Sequence, residues 1–542
     1  MSVFRQQRPS HSDARFTVST RSRHRVTSKS SCNSPPSSAF HVPLTVSDVH
    51  LRHEQLPFAY YFAETLDPKQ LRSSLRRVLH RFPVVSGTVP GDNVFQSIVC
   101  CPTTDSISLT FGDMQSSMEE WIEASRGHVH IAGMGHPTLL PIFDSLFHDQ
   151  GSREADCDDS NTAAAHDDND GPTAALLPYD NLLKIRVTHF SCGGTVLGVN
   201  FLHMLGDTAS CVRFVRCWGR EMRQRTEYSS SRNDNNARAL VNVSGMMTVD
   251  RAEQMGIGVV PPTSSSWMAQ CYDDWFVSSS TKESPVLVLD DTAREQHEYV
   301  ALCFPLEVLE SMKRVGMAAC EAKNDASSFV STNDMVTAFG WLLKRSLSGE
   351  HSWNIGMVLN MRRHCGSAVN DDNEDVVTKP ESLFGNGITN IVATHPVTTE
   401  SITILDISQA ARSIRLAIED GLVRLPHRLF QSRTGKTPVH VSAADSFSTT
   451  SWSQFPLASI SFSPHKTLTS FHGHPSCPLP LGQSTYASVI VEDLVALQGE
   501  DGGGSVYHLL LPSDQVQQAT AQHADLCAAF IAAAAAAARD DD

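Results

Sequence analysis

A histidine four residues ahead of an aspartate is the pattern in this chain whose residue types and spacing could do acid–base chemistry. His203 and Asp207 form it within the stretch HMLGD. The unperturbed pKa of an imidazole, about 6.5, makes histidine a usable general base near neutral pH. The spacing alone is a weak signal, because the chain has 24 histidines and the acidic run at 166–170 repeats the pattern. Taken in isolation, the motif is more typical of a hydrogen-bonded structural histidine and of a helix N-cap at Asp207.

The residues around this motif predict a strand, a short turn and a helix. Residues 182–190 alternate apolar and polar side chains like a half-buried strand, and 195–202 form a more apolar partner strand after a Cys-Gly-Gly turn. Beyond Asp207 two stripes follow at helical spacing. The apolar stripe is Cys211, Phe214, Val215, Trp218 and Met222, and the basic stripe is Arg213, Arg216, Arg220 and Arg223. His203 would therefore lie where a buried strand ends and a helix is about to begin.

The chain is too long for one hydrophobic core, so its 542 residues predict two domains. From composition we expect a disordered basic arm rich in Ser and Arg at 1–40, an N-terminal domain at 41–240 with a disordered acidic insertion at about 151–175, a crossover linker at 241–285 and a C-terminal domain at 286–542. The arm also resembles an organelle import peptide. We expect a cytoplasmic protein, with an organelle as the alternative.

Composition excludes several function classes. A net charge of −16 argues against nucleic acid as a partner, because phosphate attraction needs clustered Lys and Arg. The 13 cysteines form no CxxC pair, so neither a zinc site nor a disulfide framework is indicated. His128, His130 and His136 lack matched ligand spacing, and we expect no metal. No apolar run approaches the roughly 20 residues that span a bilayer, so we expect a soluble protein.

Periodicity assigns secondary structure to both halves of the chain. Helices are predicted at 66–82, 306–317, 331–347, 405–422 and from 513 towards 538. Further strands are predicted at 83–91, 298–304, 357–361, 458–462, 486–491 and 506–511. The whole is α/β or α+β in two halves.

Six sequence blocks occur in one order and carry a resemblance that the lone motif does not. They are LRSSLRRVLHRFPVVSGTV near residue 80, VNFLHMLGD at 199–207, STNDMVTAF at 331–339, LNMRR at 359–363, LFGNGI at 383–388 and TSWSQFPL at 450–457. Together they resemble the BAHD family of acyl-CoA-dependent acyltransferases, over about residues 42 to 518. The resemblance implies an α/β fold of two chloramphenicol-acetyltransferase-like domains, with mixed sheets flanked by helices and a channel between them.

The resemblance also implies a reaction and a role for each motif residue. An acyl group would pass from a CoA thioester to a hydroxyl or amine of a small-molecule acceptor, with acyl-CoA as co-substrate, no bound cofactor and a monomeric enzyme. His203 would be the general base. Thr450 and Trp452 would hold the oxyanion. Asp207 would be structural and pair with an arginine, for which Arg362 is the candidate.

The chain departs from the family pattern in one motif and leaves another function unassigned. Where the family carries DFGWG, this chain has SFSPH at 461–465 and keeps only Phe462. Thr208 replaces a common glycine. We expect His465, His472 and His474 to be exposed loop residues. The candidates for binding the CoA phosphates are Arg412, Arg415, Arg428, Arg433 and Lys436, and the sequence favours none of them.

Two other readings remain open at this point. A free-standing condensation-type domain, acting on carrier-protein thioesters, shares a His and Asp motif and the same two-domain plan. A non-catalytic relative that binds ligands would account for the altered DFGWG region. The chain contains no GxSxG, GxGxxG or P-loop, which argues against a serine hydrolase and a nucleotide-driven enzyme.

Overall fold

A computed structural model describes residues 18–27, 39–44, 48, 55–89, 97–101, 105–121, 129–132, 182–227, 297–321, 329–348, 354–363, 384–395, 402–433, 446–463, 466–473, 487–492, 503–512 and 514–540. The predicted acidic insertion at 151–175 and the crossover at 241–285 lie outside the described residues.

Among the described residues, the first half of the chain alternates strands with two long helices. In chain order its elements are β1 (Val18–Thr27), β2 (Phe40–Pro43), β3 (Gln55–Phe62), α1 (Pro68–Arg81), β4 (Ser97–Cys100), β5 (Ser106–Met114), β6 (Val129–Ala132), β7 (Leu183–Phe190), β8 (Thr195–Leu202) and α2 (Thr208–Glu227). The predicted hairpin is present: β7 and β8 are antiparallel, and Gly193 takes a positive φ of 87° in the turn that joins them.

The second half has the same character in the residues that the structure describes. Its elements are β9 (His297–Pro305), α3 (Leu306–Glu321), α4 (Thr332–Ser348), β10 (Asn354–Asn360), β11 (Ile388–Thr394), α5 (Ile404–Arg433), β12 (Ser446–Ser451), β13 (Ser461–Ser463), β14 (Lys466–Gly473), β15 (Ala487–Glu492), β16 (Gly504–Pro512) and α6 (Val516–Asp540). A capping box opens α4, because Ser331 Oγ accepts from the Asp334 backbone N–H and Asp334 accepts from that of Ser331.

Two seven-stranded sheets and a small two-stranded sheet organise the described residues. The strand orders are β1-β5-β7-β8-β3-β14-β13 in the first sheet, β11-β10-β12-β15-β16-β9-β6 in the second and β2-β4 in the third. Each large sheet contains strands from the other half of the chain. β14 pairs with β3, and β6 pairs with β9. The two sheets are therefore not separated by one boundary in the sequence.

The expected disordered arm is wrong for residues 18–27, which form β1. This strand pairs antiparallel with β5, from Val18 opposite Met114 to Thr27 opposite Ser106. It lies at one edge of the first sheet, where charged side chains are tolerated because one side of the strand faces no partner. Val26 is the one apolar residue among positions 19–27, and it is buried in the core. The Ser- and Arg-rich composition therefore indicated disorder where the chain forms an edge strand.

Two other predicted strands also differ from the structure. Residues Pro83–Ser86 form a 3₁₀ helix, because Pro83 is suited to the first helical position and has no N–H to give to a sheet. In the predicted strand at 458–462, Leu457–Ser459 is likewise a 3₁₀ helix and only Ser461–Ser463 is β structure. β7 is buried at every position except Lys184, because it lies inside the sheet between β5 and β8.

The last helix, α6, lies close to the predicted bounds of 513 to 538, but it is long and apolar enough to resemble a membrane span, which the sequence pattern did not predict. By length and composition alone, Val516–Arg539 could cross a membrane, and 22% of that window is buried in the protein. The buried positions of α6 recur every three or four residues and belong to one face: Val516, Ala519, His523, Leu526, Phe530 and Ala534. This face packs in the core of the second sheet.

Candidate active site

His203 begins a single 3₁₀ turn, His203–Leu205, directly after β8. The residue is buried, with 8% of its surface exposed. Its carbonyl oxygen accepts two hydrogen bonds, from the Gly206 N–H at 3.2 Å and from Asn386 Nδ2 at 2.8 Å. Its ring nitrogen Nδ1 is buried and has no hydrogen-bond partner among the described residues. The contacts that fix this histidine therefore act on its backbone.

Asp207 caps α2 and also ties the first half of the chain to the second. Oδ1 accepts from the Ser210 N–H at 3.1 Å, which is the contact of an N-cap. Oδ2 accepts from Arg362 Nη1 at 2.6 Å and from the Gly387 N–H at 2.8 Å. The ion pair implied between Asp207 and Arg362 is present in the structure, and both side chains are at least 96% buried. None of these contacts of the Asp207 carboxylate involves the side chain of His203.

The pKa of Asp207 is lowered by its partners despite its burial. Burial is the largest influence and acts to raise the pKa, but the charge and hydrogen bond of Arg362 and the N–H groups of Gly387 and Ser210 together outweigh it. The carboxylate therefore stays ionised at neutral pH.

The turn 385–387 fits against this cap because it is built from glycines. Gly385 has a φ of 127°, a conformation that side chains disfavour. Its carbonyl accepts from Arg362 Nη2 at 2.6 Å and from Ser210 Oγ at 2.8 Å. A Cβ at Gly387 would lie 2.6 Å from Arg362 Cζ, and one at Gly206 would lie 2.9 Å from Ser210 Cβ. The two turns can approach this closely only without side chains at these positions.

Asn386, which the sequence analysis did not single out, lies between those glycines and is fully buried. Its Nδ2 donates both to the His203 carbonyl and to Asp48 Oδ1, at 2.8 and 2.7 Å. Asp48 is itself 7% exposed. The only sequence signal was the FGNG turn itself, since Asp48 and Asn386 are 338 residues apart.

Thr450 and Trp452 lie on a segment that passes from one large sheet to the other. Thr450, in β12, is opposite Val358 of the parallel strand β10, so both strands end at the edge where Arg362 follows β10. Trp452 is 3% exposed in the core of the first sheet, with its ring 5.5 Å from that of Phe58. Phe58 is opposite Val199 of β8, four residues before His203.

Phe462, the one residue kept from the DFGWG motif, is packed in the core. Phe462 is 1% exposed, and its ring meets those of Phe62 and Trp218 edge-on at 5.4 and 5.3 Å. Arg223 of α2 donates to the Ser461 carbonyl. Thr208 is the first residue of α2. His472 lies in β14 rather than in a loop, and His465 and His474 lie outside the described residues.

The candidate phosphate ligands are distributed along α5. Arg415 donates to Asp334 Oδ2 at 2.5 Å and to Ser331 Oγ, and its guanidinium lies 4.5 Å from the Phe329 ring. It is thus committed to the start of α4. Arg412, Arg428 and Arg433 are also in α5, and Lys436 lies outside the described residues. Of the three histidines that the sequence analysis weighed for metal, His130 lies in β6, and His128 and His136 are outside the description.

A family comparison agrees with this geometry. Residues 172–476, more than half of the chain, match the model of the Transferase family. The chain belongs to the Transferase family. This is the family of BAHD acyltransferases that the six sequence blocks indicated, so that resemblance is confirmed, and with it the assignment of the chain to the acyltransferases.

Curated relatives in the family align only over short segments. A protein ECERIFERUM 26-like of Arabidopsis thaliana is 40% identical over 47 residues, 9% of this chain and 11% of the relative. A hydroxycinnamoyltransferase of Narcissus pseudonarcissus is 49% identical over 37 residues, 7% of this chain and 8% of the relative. The aligned part thus spans about a tenth of the length of these relatives.

Solved structures are similar over nearly the whole chain. Vinorine synthase has a TM-score of 0.55 at 18% identity, covering 92% of this chain and 96% of its own. The TRI101 protein of F. sporotrichioides, complexed with coenzyme A and T-2, has a TM-score of 0.53 at 15% identity, with coverages of 88% and 96%. A condensation domain of the calcium-dependent antibiotic synthetase has a TM-score of 0.50 at 11% identity, with coverages of 92% and 97%. At such identities the likeness shows a shared fold, and the predicted fold class of this family member is confirmed.

Proposed function

We propose that this protein is an acyl-CoA-dependent acyltransferase that moves an acyl group from a CoA thioester to a hydroxyl or amine of a small-molecule acceptor. The observation that carries the proposal is the buried imidazole of His203, placed at the end of β8 by a turn that the second half of the chain holds. Membership in the Transferase family supports acyl transfer. The similar TRI101 structure with coenzyme A and T-2 supports a CoA donor and a small acceptor.

His203 would act as the general base. It removes a proton from the acceptor as the acceptor oxygen or nitrogen attacks the thioester carbonyl carbon. The tetrahedral intermediate then collapses, the carbon–sulfur bond breaks and the CoA thiolate takes the proton back from the imidazolium. The acyl group passes directly to the acceptor, and the side chain of His203 ends the cycle neutral.

Thr450 and Trp452 would stabilise the negative charge on the intermediate. The hydroxyl of Thr450 and the indole N–H of Trp452 are hydrogen-bond donors, and donors directed at a developing oxyanion lower the barrier. Their place on the segment that leads from the second sheet to the first supports this role. Trp452 also fills the core beside Phe58, so its substitution would disturb packing as well as chemistry.

Asp207 would not take part in proton transfer. Both of its carboxylate oxygens are occupied by donors of the cap and of the second half, and its lowered pKa keeps it charged. Its role would be to hold the turn that carries His203.

The direct test is a screen of acyl donors with the full chain. Acetyl, aromatic and long-chain acyl-CoA are each offered with pooled alcohols and amines, and release of free CoA thiol is followed together with the mass of the acylated product. The proposal predicts acceptor-dependent thiol release with at least one donor. No turnover with any donor, in a folded protein, would contradict it.

A condensation-type activity is the second candidate, and the shared fold with a condensation domain favours it. The same acyl groups are therefore also offered on the phosphopantetheine arm of a carrier protein. Transfer from the carrier but not from CoA would replace the first proposal with this one. Faster transfer from CoA would support the first.

A further inference from the structure

The position of His203 depends on contacts made at its backbone. Its carbonyl accepts the Gly206 N–H that closes the 3₁₀ turn and the side-chain amide of Asn386. The first contact is local and would form in any such turn. The second comes from 183 residues away and fixes the turn relative to the other half of the chain.

The ring of His203 has little else to orient it. Histidines that act as bases or ligands commonly have one ring nitrogen held by a neighbour, which sets the tautomer and the direction of the other. Here Nδ1 is buried without a hydrogen-bond partner among the described residues. The placement of the imidazole therefore follows from the placement of its own backbone.

The orientation of the Asn386 amide is determined by its surroundings. Its two neighbours are a carbonyl oxygen of His203 and a carboxylate oxygen of Asp48, and both can only accept. The NH₂ group must face both of them, because the amide oxygen would be repelled by either. The amide oxygen, Oδ1, is buried with no partner among the described residues. The NH₂ group of Asn386 thus donates one hydrogen bond to Asp48 and one to His203.

The backbone of Asn386 is equally constrained. Gly385 on one side carries the bonds to Ser210 and Arg362, and Gly387 on the other donates to Asp207. Asn386, the centre of the bridge from Asp48 to His203, is consequently held by buried backbone contacts on both of its sides.

We propose that Asn386, oriented by Asp48, is a positioning residue that sets the distance of His203 from the reacting thioester. This inference rests on the proposed function. A displacement of a catalytic group by about 1 Å can cost on the order of 100-fold in rate, so a bond that holds the base's backbone should act on kcat. Because the side-chain amide of Asn386 is engaged by Asp48 and by the His203 carbonyl, KM should be little affected.

The decisive variant is Asn386→Asp, which keeps the shape and replaces the donor with an oxygen that faces two acceptors. We expect kcat to fall on the order of 100-fold, with KM for donor and acceptor within about twofold of wild type. The matched control is Asn354→Asp, the same change at a half-buried residue of β10 that bonds Thr394, which should leave both constants unchanged. An Asn386→Asp enzyme with wild-type kcat would overturn the inference.

A pair of changes at Asp48 tests the second link and serves if Asn386→Asp does not fold. Asp48→Asn keeps an acceptor oxygen for Asn386 and should retain near wild-type kcat. Asp48→Ala removes the acceptor and should lower kcat about tenfold with KM unchanged. Equal kcat in the two variants would contradict the bridge, whereas a purely structural role would lower the melting temperature without splitting kcat from KM.

Acyl transfer by the Asn386 and Asp48 variants is compared with acyl transfer by His203→Ala. If His203→Ala retains acyl transfer, the proposed function itself fails. If His203→Ala loses acyl transfer while Asn386→Asp and Asp48→Ala keep it, only the positioning role fails.

Discussion

The ion pair of Asp207 and Arg362 shows how one residue of the motif serves the fold. Replacing one partner of a fully buried pair leaves an uncompensated charge, which typically costs about 3–5 kcal/mol. The pair joins the cap of α2 to the 3₁₀ turn after β10, and its loss would loosen the turn that carries His203.

Asp207→Asn should therefore act mainly on stability. We expect the free energy of unfolding, measured by urea denaturation, to fall by about 3–5 kcal/mol. Asp113→Asn is the control, since it breaks the Arg21–Asp113 pair whose side chains are 46% and 45% exposed and should cost at most about 1 kcal/mol. An Asp207→Asn protein of wild-type stability that loses rate as severely as His203→Ala would show that the carboxylate acts in the chemistry.

Two adjacent threonines of β12, Thr450 and Thr449, allow a matched test of the proposed oxyanion donor. Thr450→Val removes the hydroxyl that is proposed to hold the oxyanion, and kcat should fall on the order of 100-fold. Thr449→Val removes a buried hydroxyl that has no hydrogen-bond partner among the described residues, and both kcat and stability should be maintained. Thiol-release kinetics on the two variants make the comparison. Equal rates would remove Thr450 from the mechanism.

At the scale of residues, the sequence could point to candidate site residues where these belong to a short motif. His203, Asp207 and Arg362 are part of short blocks, and the N-cap at Asp207 follows from the helix that begins after it. The contact between Asn386 and Asp48 was not predicted, because it joins segments that are far apart in the chain. A single buried amide leaves no periodic signal.

At the scale of elements, α6 buries a histidine that makes stability depend on pH. Burial lowers the pKa of His523 to about 4, only partly offset by a hydrogen bond with the backbone of Cys303. Its ring packs edge-on against Phe304 and Phe339, at 4.9 and 5.7 Å. The folded state thus keeps the neutral imidazole under conditions in which the unfolded chain takes up a proton.

The free energy of unfolding should fall as the pH drops from about 6.5 towards 4, since His523 protonates only in the unfolded chain over this window. The loss of stability is absent above about pH 6.5 and reaches its full size, about 3 kcal/mol, below about pH 4. His523→Leu should flatten this part of the stability curve, whereas His41→Asn at an exposed position should not. Denaturant unfolding at several pH values measures it, and an unchanged slope in His523→Leu would contradict the assignment.

Amphipathic elements could be predicted from sequence more readily than those set by their neighbours. The hairpin β7–β8 and helices α2 and α4 follow from apolar spacing and turn residues. β1 could not be predicted, because its seven residues from Ser19 to Arg25 are all polar and give no apolar alternation. The predicted start of the strand at 458–462 was wrong, because a 3₁₀ turn follows Pro456 and β13 begins only at Ser461.

At the scale of the whole molecule, each half of the chain contributes strands to the sheet that is built mainly from the other half. β14 lies against β3, and Phe462 of β13 fills the core between Phe62 and Trp218. Sequence composition could not reveal this exchange, because strand pairing across 400 residues depends on tertiary contacts. The predicted linker at 241–285 therefore divides the sequence into two halves, but each of the two large sheets contains strands from both halves.

A fragment of residues 1–285 should consequently fail to fold alone. It lacks β13 and β14, so β3 would become an unpaired edge and Phe62 would lose its aromatic neighbour. We expect no cooperative thermal transition for the fragment, and recovery of acyl transfer on co-expression with 286–542. A cooperative transition of the isolated fragment would show that the exchanged strands are dispensable.

The proposed role of His203 as general base is tested by the rate of acceptor-dependent thiol release, compared between the wild-type protein and His203→Ala with the best acyl-CoA donor. General-base catalysis is worth about 10²- to 10⁴-fold, so the alanine variant should lose at least about 100-fold in kcat while it remains folded. A folded His203→Ala protein that transfers the acyl group at the wild-type rate would contradict the account.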